Sequence, residues 1–197
     1  MRLRVLALVC AACLLLVMTG CGGGPKTYTN DDYSFSVEHP ADWEQVDARL
    51  GLMTGPVDFS TTFAKVSDLD ETSDEGDDYL TAALVMATRL PRELSESEFR
   101  TFLEQYGAEM KKVKGDFPGT GYSDVEVASV QMTELAGVPC LMVDMDFLND
   151  RGGRQHDRTY MFGEGDMLYG IQLSAPMDRW PQDRAELEAI AQSFFIL

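Results

Sequence analysis

The fold is decided by the stretch VEVASVQMTELAGVPCLMVDMDF, residues 125–147. The first half opens with Val125 and Val127 at alternate positions, and the second half continues with a period of two, which is typical of strands that bury one face. In the second half the alternating apolar positions are Leu141, Val143, Met145 and Phe147. The dipeptide Ala136-Gly137 separates the halves and predicts a tight turn. The stretch therefore predicts two neighbouring antiparallel strands.

Further strand patterns lie on both sides of this stretch. Downstream, residues 154–162 and 167–173 predict a second hairpin, with its turn at Gly163–Asp166. Upstream, residues 59–66 and 82–90 are strand candidates. The strands follow one another through short turns, which favours an antiparallel sheet.

The segment YSFSVEHPADW, residues 33–43, predicts a half-buried strand followed by a turn. Tyr33, Phe35 and Val37 share one face of that strand. Pro40 ends the strand because it cannot donate to a sheet, and Trp43 then supplies an apolar plug.

Two helices are expected, one in mid-chain and one at the end. Ser95 to Lys114 is the clearer, because Ser95 and Glu98 have the spacing of a capping box and Gly115 supplies a stop. Its apolar stripe consists of Phe99, Phe102, Leu103, Tyr106, Met110 and Val113. We expect Phe102 and Leu103 to be core residues. The final helix follows Pro181, with Leu187, Ile190, Ala191 and Phe194 on its apolar side.

These elements predict one α+β domain, residues 28–197, in which helices cover an antiparallel sheet. A second domain or an internal repeat is not indicated. Without residues 1–20 the chain of 197 residues has 177, a length suited to a single domain with a substantial core.

The N-terminal residues predict a lipoprotein leader, residues 1–20. Arg2 and Arg4 precede fourteen uninterrupted apolar residues, a length that suits a signal peptide and is too short for a membrane span. The string VMTGC, residues 17–21, resembles the bacterial lipobox, in which lipid is attached to the cysteine. We therefore expect Cys21 to carry the lipid anchor, and residues 21–27 to form a flexible tether.

Charge excludes some classes of partner. The net charge of the whole chain is −17, and loss of the leader's two arginines makes it −19. Nucleic acid and anionic lipid headgroups would be repelled by such a domain, so neither is expected as a partner.

The chain resembles the PsbP-like family, also called the Mog1/PsbP fold. The strand, proline and tryptophan at Phe35–Trp43, the turn LAG at residues 135–137, and Ser193-Phe194 within IAQSFFIL carry this resemblance. The resemblance extends over about residues 28–197. The family includes secreted actinobacterial lipoproteins, and this chain looks like one of them. The resemblance implies an α/β/α sandwich and non-enzymatic roles as accessory, assembly or binding proteins, with no catalytic residues to carry over.

Candidates for catalysis are few. His39 and His156 are the histidines, and neither stands in a recognisable triad, nucleophile-elbow or phosphate-loop pattern. Cys140 is the only thiol left once the leader is removed and Cys21 is acylated, so no intramolecular disulfide is possible. We expect Cys140 to be buried and inert.

Two acidic groups are candidates for metal binding. The run from Asp68 to Asp78 has seven acidic residues in eleven, which predicts a solvated loop, with calcium binding as the alternative. Asp144 and Asp146 lie on the strand face opposite Leu141. We expect them to form salt bridges with Arg154 and Arg158 rather than a ligand site.

The sequence thus predicts a lipoprotein outside the cytoplasm, anchored to the cell membrane through Cys21. It would be a non-catalytic binding or accessory module without a cofactor, and its partner would be a protein or a small ligand. The alternative is a carrier of metal or lipid that uses an enclosed sheet face or a pocket under the Ser95 helix.

Overall fold

The computed structural model describes residues 23–46, 57–70, 80–117, 122–149 and 152–197. In these ranges the strands are β1 (Lys26–Asn30), β2 (Phe35–His39), β3 (Trp43–Val46), β4 (Phe59–Lys65), β5 (Ala82–Leu94), β6 (Lys114–Phe117), β7 (Tyr122–Leu135), β8 (Val138–Leu148), β9 (Arg154–Pro176) and β10 (Phe195–Ile196). The helices are α1 (Val66–Asp70), α2 (Glu96–Met110) and α3 (Trp180–Gln192).

The strands form two sheets in which every observed pairing is antiparallel. The larger sheet has the order β3-β4-β5-β9-β8-β7-β6, and the smaller has the order β1-β2-β10. The antiparallel α+β class predicted from the sequence is confirmed.

The long element β9 folds back on itself. The Met177 amide donates to the Arg154 carbonyl at 3.1 Å, and the Ser174 hydroxyl donates to Asp157 at 2.5 Å. A straight strand would separate Asp157 from Ser174 by about 50 Å, so the chain must reverse between them. The predicted hairpin is therefore confirmed, with one arm beside β8 and the other beside β5.

Two tight turns connect other strands: one joins the paired strands β7 and β8, and one joins β2 in the smaller sheet to β3 in the larger. Ala136 and Gly137 both have positive φ, 50° and 83°, as the two central residues of a type I′ turn require. The Trp43 amide donates to the Pro40 carbonyl at 3.1 Å, and the Trp43 side chain is fully buried, as predicted.

The two faces of the larger sheet bury different sets of residues. Because side chains alternate along β8, Cys140 and Met142 lie on one face, and Leu141 and Val143 on the other. The Leu141 face packs against α2. The Cys140 face packs against α3 and the smaller sheet, in a cluster that includes Phe35, Val37, Trp43, Leu187, Ile190 and Phe194.

Element boundaries differ from the predictions in two places. Helix α2 ends at Met110 rather than Lys114, because Lys114 and Gly115 pair with β7 as part of β6. Strand β1 begins at Lys26, which pairs with His39, whereas the domain was predicted to begin at residue 28. Cys21 and the leader lie outside the described residues.

Candidate functional site

A groove of about 400 Å³ lies beside the N-terminal half of α2. Three segments that are distant in sequence line it: residues 94–103, the turn between β7 and β8, and the turn of the β9 hairpin. The volume falls within the roughly 300–1,000 Å³ typical of ligand clefts. We call this cleft the α2 groove.

The start of α2 is fixed by the predicted capping box. The Glu98 amide donates to the Ser95 hydroxyl at 3.4 Å, and the Ser95 amide donates to the Glu98 carboxylate at 2.9 Å. Arg92 also donates to Glu98 at 2.8 Å. Hydrogen bonds from Arg92 and from Ser95 lower the pKa of Glu98 to about 2, so this carboxylate stays charged.

The floor of the α2 groove depends on a glycine. Phe99 and Leu103 are buried and line the groove from α2. A Cβ atom at Gly163 would lie only 2.1 Å from Phe99 Cε1, so a larger residue would displace the ring. Gly163 therefore lets the hairpin turn lie directly against Phe99.

The rim of the α2 groove carries exposed charges. Glu96 and Glu164 are acidic and Arg100 is basic, and none of the three has an ion pair within the described residues. Glu164 and Asp166 also act on Tyr169, which packs on the opposite face of the sheet: burial and these carboxylates raise its pKa to about 12.

A second polar cluster lies on the opposite face of the sheet, beneath α3. Arg158 Nε donates to Asp144 Oδ1 at 2.6 Å, and its Nη1 donates to Glu188 on α3. Tyr160 donates its hydroxyl to the same Glu188 at 2.7 Å. The predicted pairing of Asp144 with Arg158 is confirmed, and it joins the sheet to α3.

The other half of that prediction is wrong. Asp146 pairs with His156, whose Nδ1 lies 2.6 Å from Asp146 Oδ1. Arg154 instead lies 3.4 Å from Asp124, because its position is at the end of the β9 arm. Burial lowers the pKa of His156, but hydrogen bonds and charge from the two neighbouring aspartates outweigh it, so the net pKa is raised.

Part of the acidic run is not a solvated loop. Asp68 lies in α1, is buried, and accepts the Thr81 amide at 2.9 Å. Arg179 lies 3.1 Å from Asp68 and 3.1 Å from Asp183. The prediction of a solvated position is wrong for Asp68, because the Arg179 cation compensates the cost of burying the Asp68 carboxylate. Residues 71–78 fall outside the described residues.

The remaining candidates have structural surroundings. Cys140 is buried, and burial raises the pKa of its thiol to about 12, as expected for an inert thiol. His39 stacks on Phe63 with ring centroids 4.6 Å apart, and burial lowers its pKa. In the described part of the chain, no group of three or more side chains could hold a metal ion.

Near the start of the described chain there is a second, more open depression of about 640 Å³. It is lined by Gly23 and Pro25, by residues 38–42, and by α3. None of the helices in the described ranges is long and apolar enough to cross a membrane.

Sequence reasoning pointed to a pocket under the Ser95 helix but did not identify the residues of the α2 groove. The capping box and the turn motifs were visible separately. The contact between Gly163 and Phe99 depends on the order of the strands in the sheet, which no local sequence pattern encodes.

Comparison with known proteins gives similarity in structure alone. No protein-family model matches the sequence, and no curated protein matches it. The solution structure of cyanobacterial PsbP (CyanoP) from Synechocystis sp. PCC 6803 has a TM-score of 0.58 at 16% identity, over 90% of this chain and 98% of that one. LpqN, involved in cell envelope biogenesis of Mycobacterium tuberculosis, has a TM-score of 0.50 at 11% identity, over 90% and 86%.

A protein from Bacteroides thetaiotaomicron VPI-5482 is also similar, with a TM-score of 0.55 at 12% identity. The match covers 89% of this chain and 49% of that one, so the chain spans about half of its length. At these identities the similarity shows the fold. The chain has a PsbP-like fold, as the sequence resemblance predicted.

Proposed function

We propose that the chain is a lipoprotein outside the cytoplasm, anchored to the cell membrane through Cys21, that acts as a non-catalytic accessory module. In this role the domain binds a partner protein or a small ligand at the membrane surface. The order of charged, apolar and small residues before Cys21 supports the anchor.

The observation that carries the proposal is the position of the α2 groove relative to the start of the domain. The groove lies on the face of the larger sheet that packs against α2. Strand β1, which follows the anchor region, belongs to the smaller sheet on the other face. We interpret this as an α/β/α layering, in which a lipid before Gly23 leaves the groove facing away from the membrane.

The structural similarities support an accessory role. PsbP shares the fold over nearly the whole chain, and so does LpqN, which is involved in cell envelope biogenesis. Fold similarity alone is weak evidence for function, so the partner must come from the chemistry of the site.

A lipid carrier is the second candidate, because the α2 groove has the volume of a small-ligand cleft. Mass spectrometry under native conditions of the released Cys21→Ala protein, which needs no detergent, would distinguish it. A carrier would retain a stoichiometric lipid, whereas a protein-binding module would not.

The anchor is tested by changing Cys21 to alanine. We expect Cys21→Ala to abolish labelling by a fatty-acid analogue and to leave uncleaved or released protein. Cys13→Ala is the matched control, because Cys13 lies in the leader and should not affect labelling. Labelling of the Cys21→Ala protein would refute the anchor.

A further inference from the structure

We propose that the α2 groove binds a positively charged segment of a partner protein, which places an apolar side chain on the groove floor. This inference rests on the proposed binding role and specifies the partner's chemistry. It follows from the groove's shape, its apolar floor and the charges around it.

The floor offers apolar surface at the bottom of an open cleft. Phe99 and Leu103 close the bottom and are almost fully buried, so the accessible apolar surface comes from Leu94, Val138 and Pro139, which are half-buried around them. An inserted apolar side chain would remove this remaining surface from water, which is favourable. Binding of an extended segment in such a groove is a common mode of peptide recognition.

The charges at the rim select for a cation. Glu96 and Glu164 line the groove and have no ion pair among the described residues, whereas Arg100 is the single basic residue of the lining. Two other ion pairs lie nearby, Arg92 with Glu98 and Arg89 with Asp166. Basic residues beside the apolar anchor would therefore find unpaired carboxylates.

The charge of the whole chain acts in the same direction. A net charge of −17 attracts basic partners at long range and repels fatty acids, anionic headgroups and nucleic acids. An anionic amphiphile would suit the floor but not the rim. A basic segment with an apolar anchor suits both.

The test uses the full chain in nanodiscs of zwitterionic phosphatidylcholine. The probe is a fluorescent decapeptide of alternating lysine and leucine, and its binding is measured by anisotropy. Two control peptides have glutamate in place of lysine, or serine in place of leucine. We expect the lysine–leucine peptide to bind at least about tenfold more tightly than either control, because each control lacks one of the two required features.

Charge reversal locates the binding site. Glu96→Lys with Glu164→Lys should weaken binding by about tenfold or more, since two attractive contacts become repulsive. The matched control is Glu44→Lys with Asp178→Lys, two exposed residues outside the groove that give the same change in net charge. We expect the control to change binding by less than about twofold. Glu164→Lys alone, in a turn, provides the same test if the double variant unfolds.

The outcomes separate this proposal from the proposed function. Equal weakening by both double variants would refute the α2 groove as the site, as would equal binding of the serine peptide. Binding of a fluorescent fatty acid in place of the basic peptide would favour the carrier instead. Each of these results leaves the Cys21 anchor untouched, whereas loss of the anchor would not alter peptide binding. Photocrosslinks from the peptide to residues 94–103 would support the proposal.

Discussion

Phe102 and Leu103 are neighbours on α2 but have different surroundings. Leu103 is 2% exposed and packs in the cluster with Leu141, whereas Phe102 is 36% exposed and stacks beside Tyr106. The prediction that Phe102 is a core residue is therefore wrong. The apolar stripe of α2 is wider than the strip that the sheet covers, and periodicity alone does not show where that strip ends.

Truncating these two side chains should have unequal effects on stability. Leu103→Ala should lower the free energy of unfolding by about 2–5 kcal/mol, because it leaves a cavity against the sheet. Phe102→Ala should cost less than about 1 kcal/mol, since much of its ring already contacts water. Urea denaturation of both variants measures the difference. Equal losses would mean that the Phe102 ring is buried in solution.

Asp157 is fully buried, and its environment makes stability depend on pH. Ser174 and Gln172 donate to its carboxylate, yet burial raises its pKa to about 7. The unfolded value is about 3.9, so the folded state holds this proton more tightly. Stability from this group is therefore greatest below the unfolded pKa and falls as the pH rises towards 7.

Replacing Asp157 with asparagine should remove this pH dependence. We expect Asp157→Asn to melt higher than the unmodified protein at pH 8, where the buried charge is costly, but not at pH 4. Each unit of pKa difference is worth about 1.4 kcal/mol. Thermal melts at the two pH values give the comparison, with Asp178→Asn as an exposed control. A shift of the same size at both pH values would contradict the argument.

Sequence signals between neighbouring residues predicted the start of α2 and the turns between strands well. The capping box and the Ala136-Gly137 turn depend on contacts a few residues apart, and the β9 hairpin was predicted from its turn at Gly163–Asp166; all three are confirmed. The end of α2 was predicted less well, because Lys114 joins β6 through pairing with Glu126 in β7. Glu126 lies outside the helix, and strand pairing with it outweighs the local preference of Lys114 for helix.

The capping box gives a prediction for α2. Ser95→Ala should destabilise the domain by about 1 kcal/mol, because the Glu98 amide loses its acceptor at the helix start. Ser97→Ala is the matched control, since among the described residues its side chain contacts only the Ser95 hydroxyl, and it should cost less than about 0.5 kcal/mol. Chemical denaturation compares the two. If both variants lose the same amount, the cap contributes nothing specific.

Across the whole domain, the sequence predicted the layers of sheet and helix better than the position of the candidate functional site. Alternation along β8 predicts that both faces of the sheet are occupied, and it places Asp144 on the face that α3 later covers. The α2 groove combines Phe99, Gly163 and the turn at Gly137, which are far apart in sequence. Its position depends on strand order, which follows from the global packing of these elements.

Arg158 connects the sheet to α3, and its removal should affect the whole domain. Its side chain is buried between Asp144 and Glu188, with the Trp180 ring 5.7 Å away. In Arg158→Ala both carboxylates lose this cation in a poorly hydrated environment. The expected loss is about 3–5 kcal/mol in the free energy of unfolding, the usual cost of breaking a buried pair.

Arg184 provides the matched control because it contacts the same Glu188, at 3.4 Å, from an exposed position on α3. Solvent screens such a pair, so Arg184→Ala should cost no more than about 1 kcal/mol. Chemical denaturation of both variants at pH 7 measures the difference directly. A small loss for Arg158→Ala would mean that α3 is held by its apolar residues, such as Leu187 and Ile190, alone. A large loss would show that Arg158 is required to join α3 to the sheet.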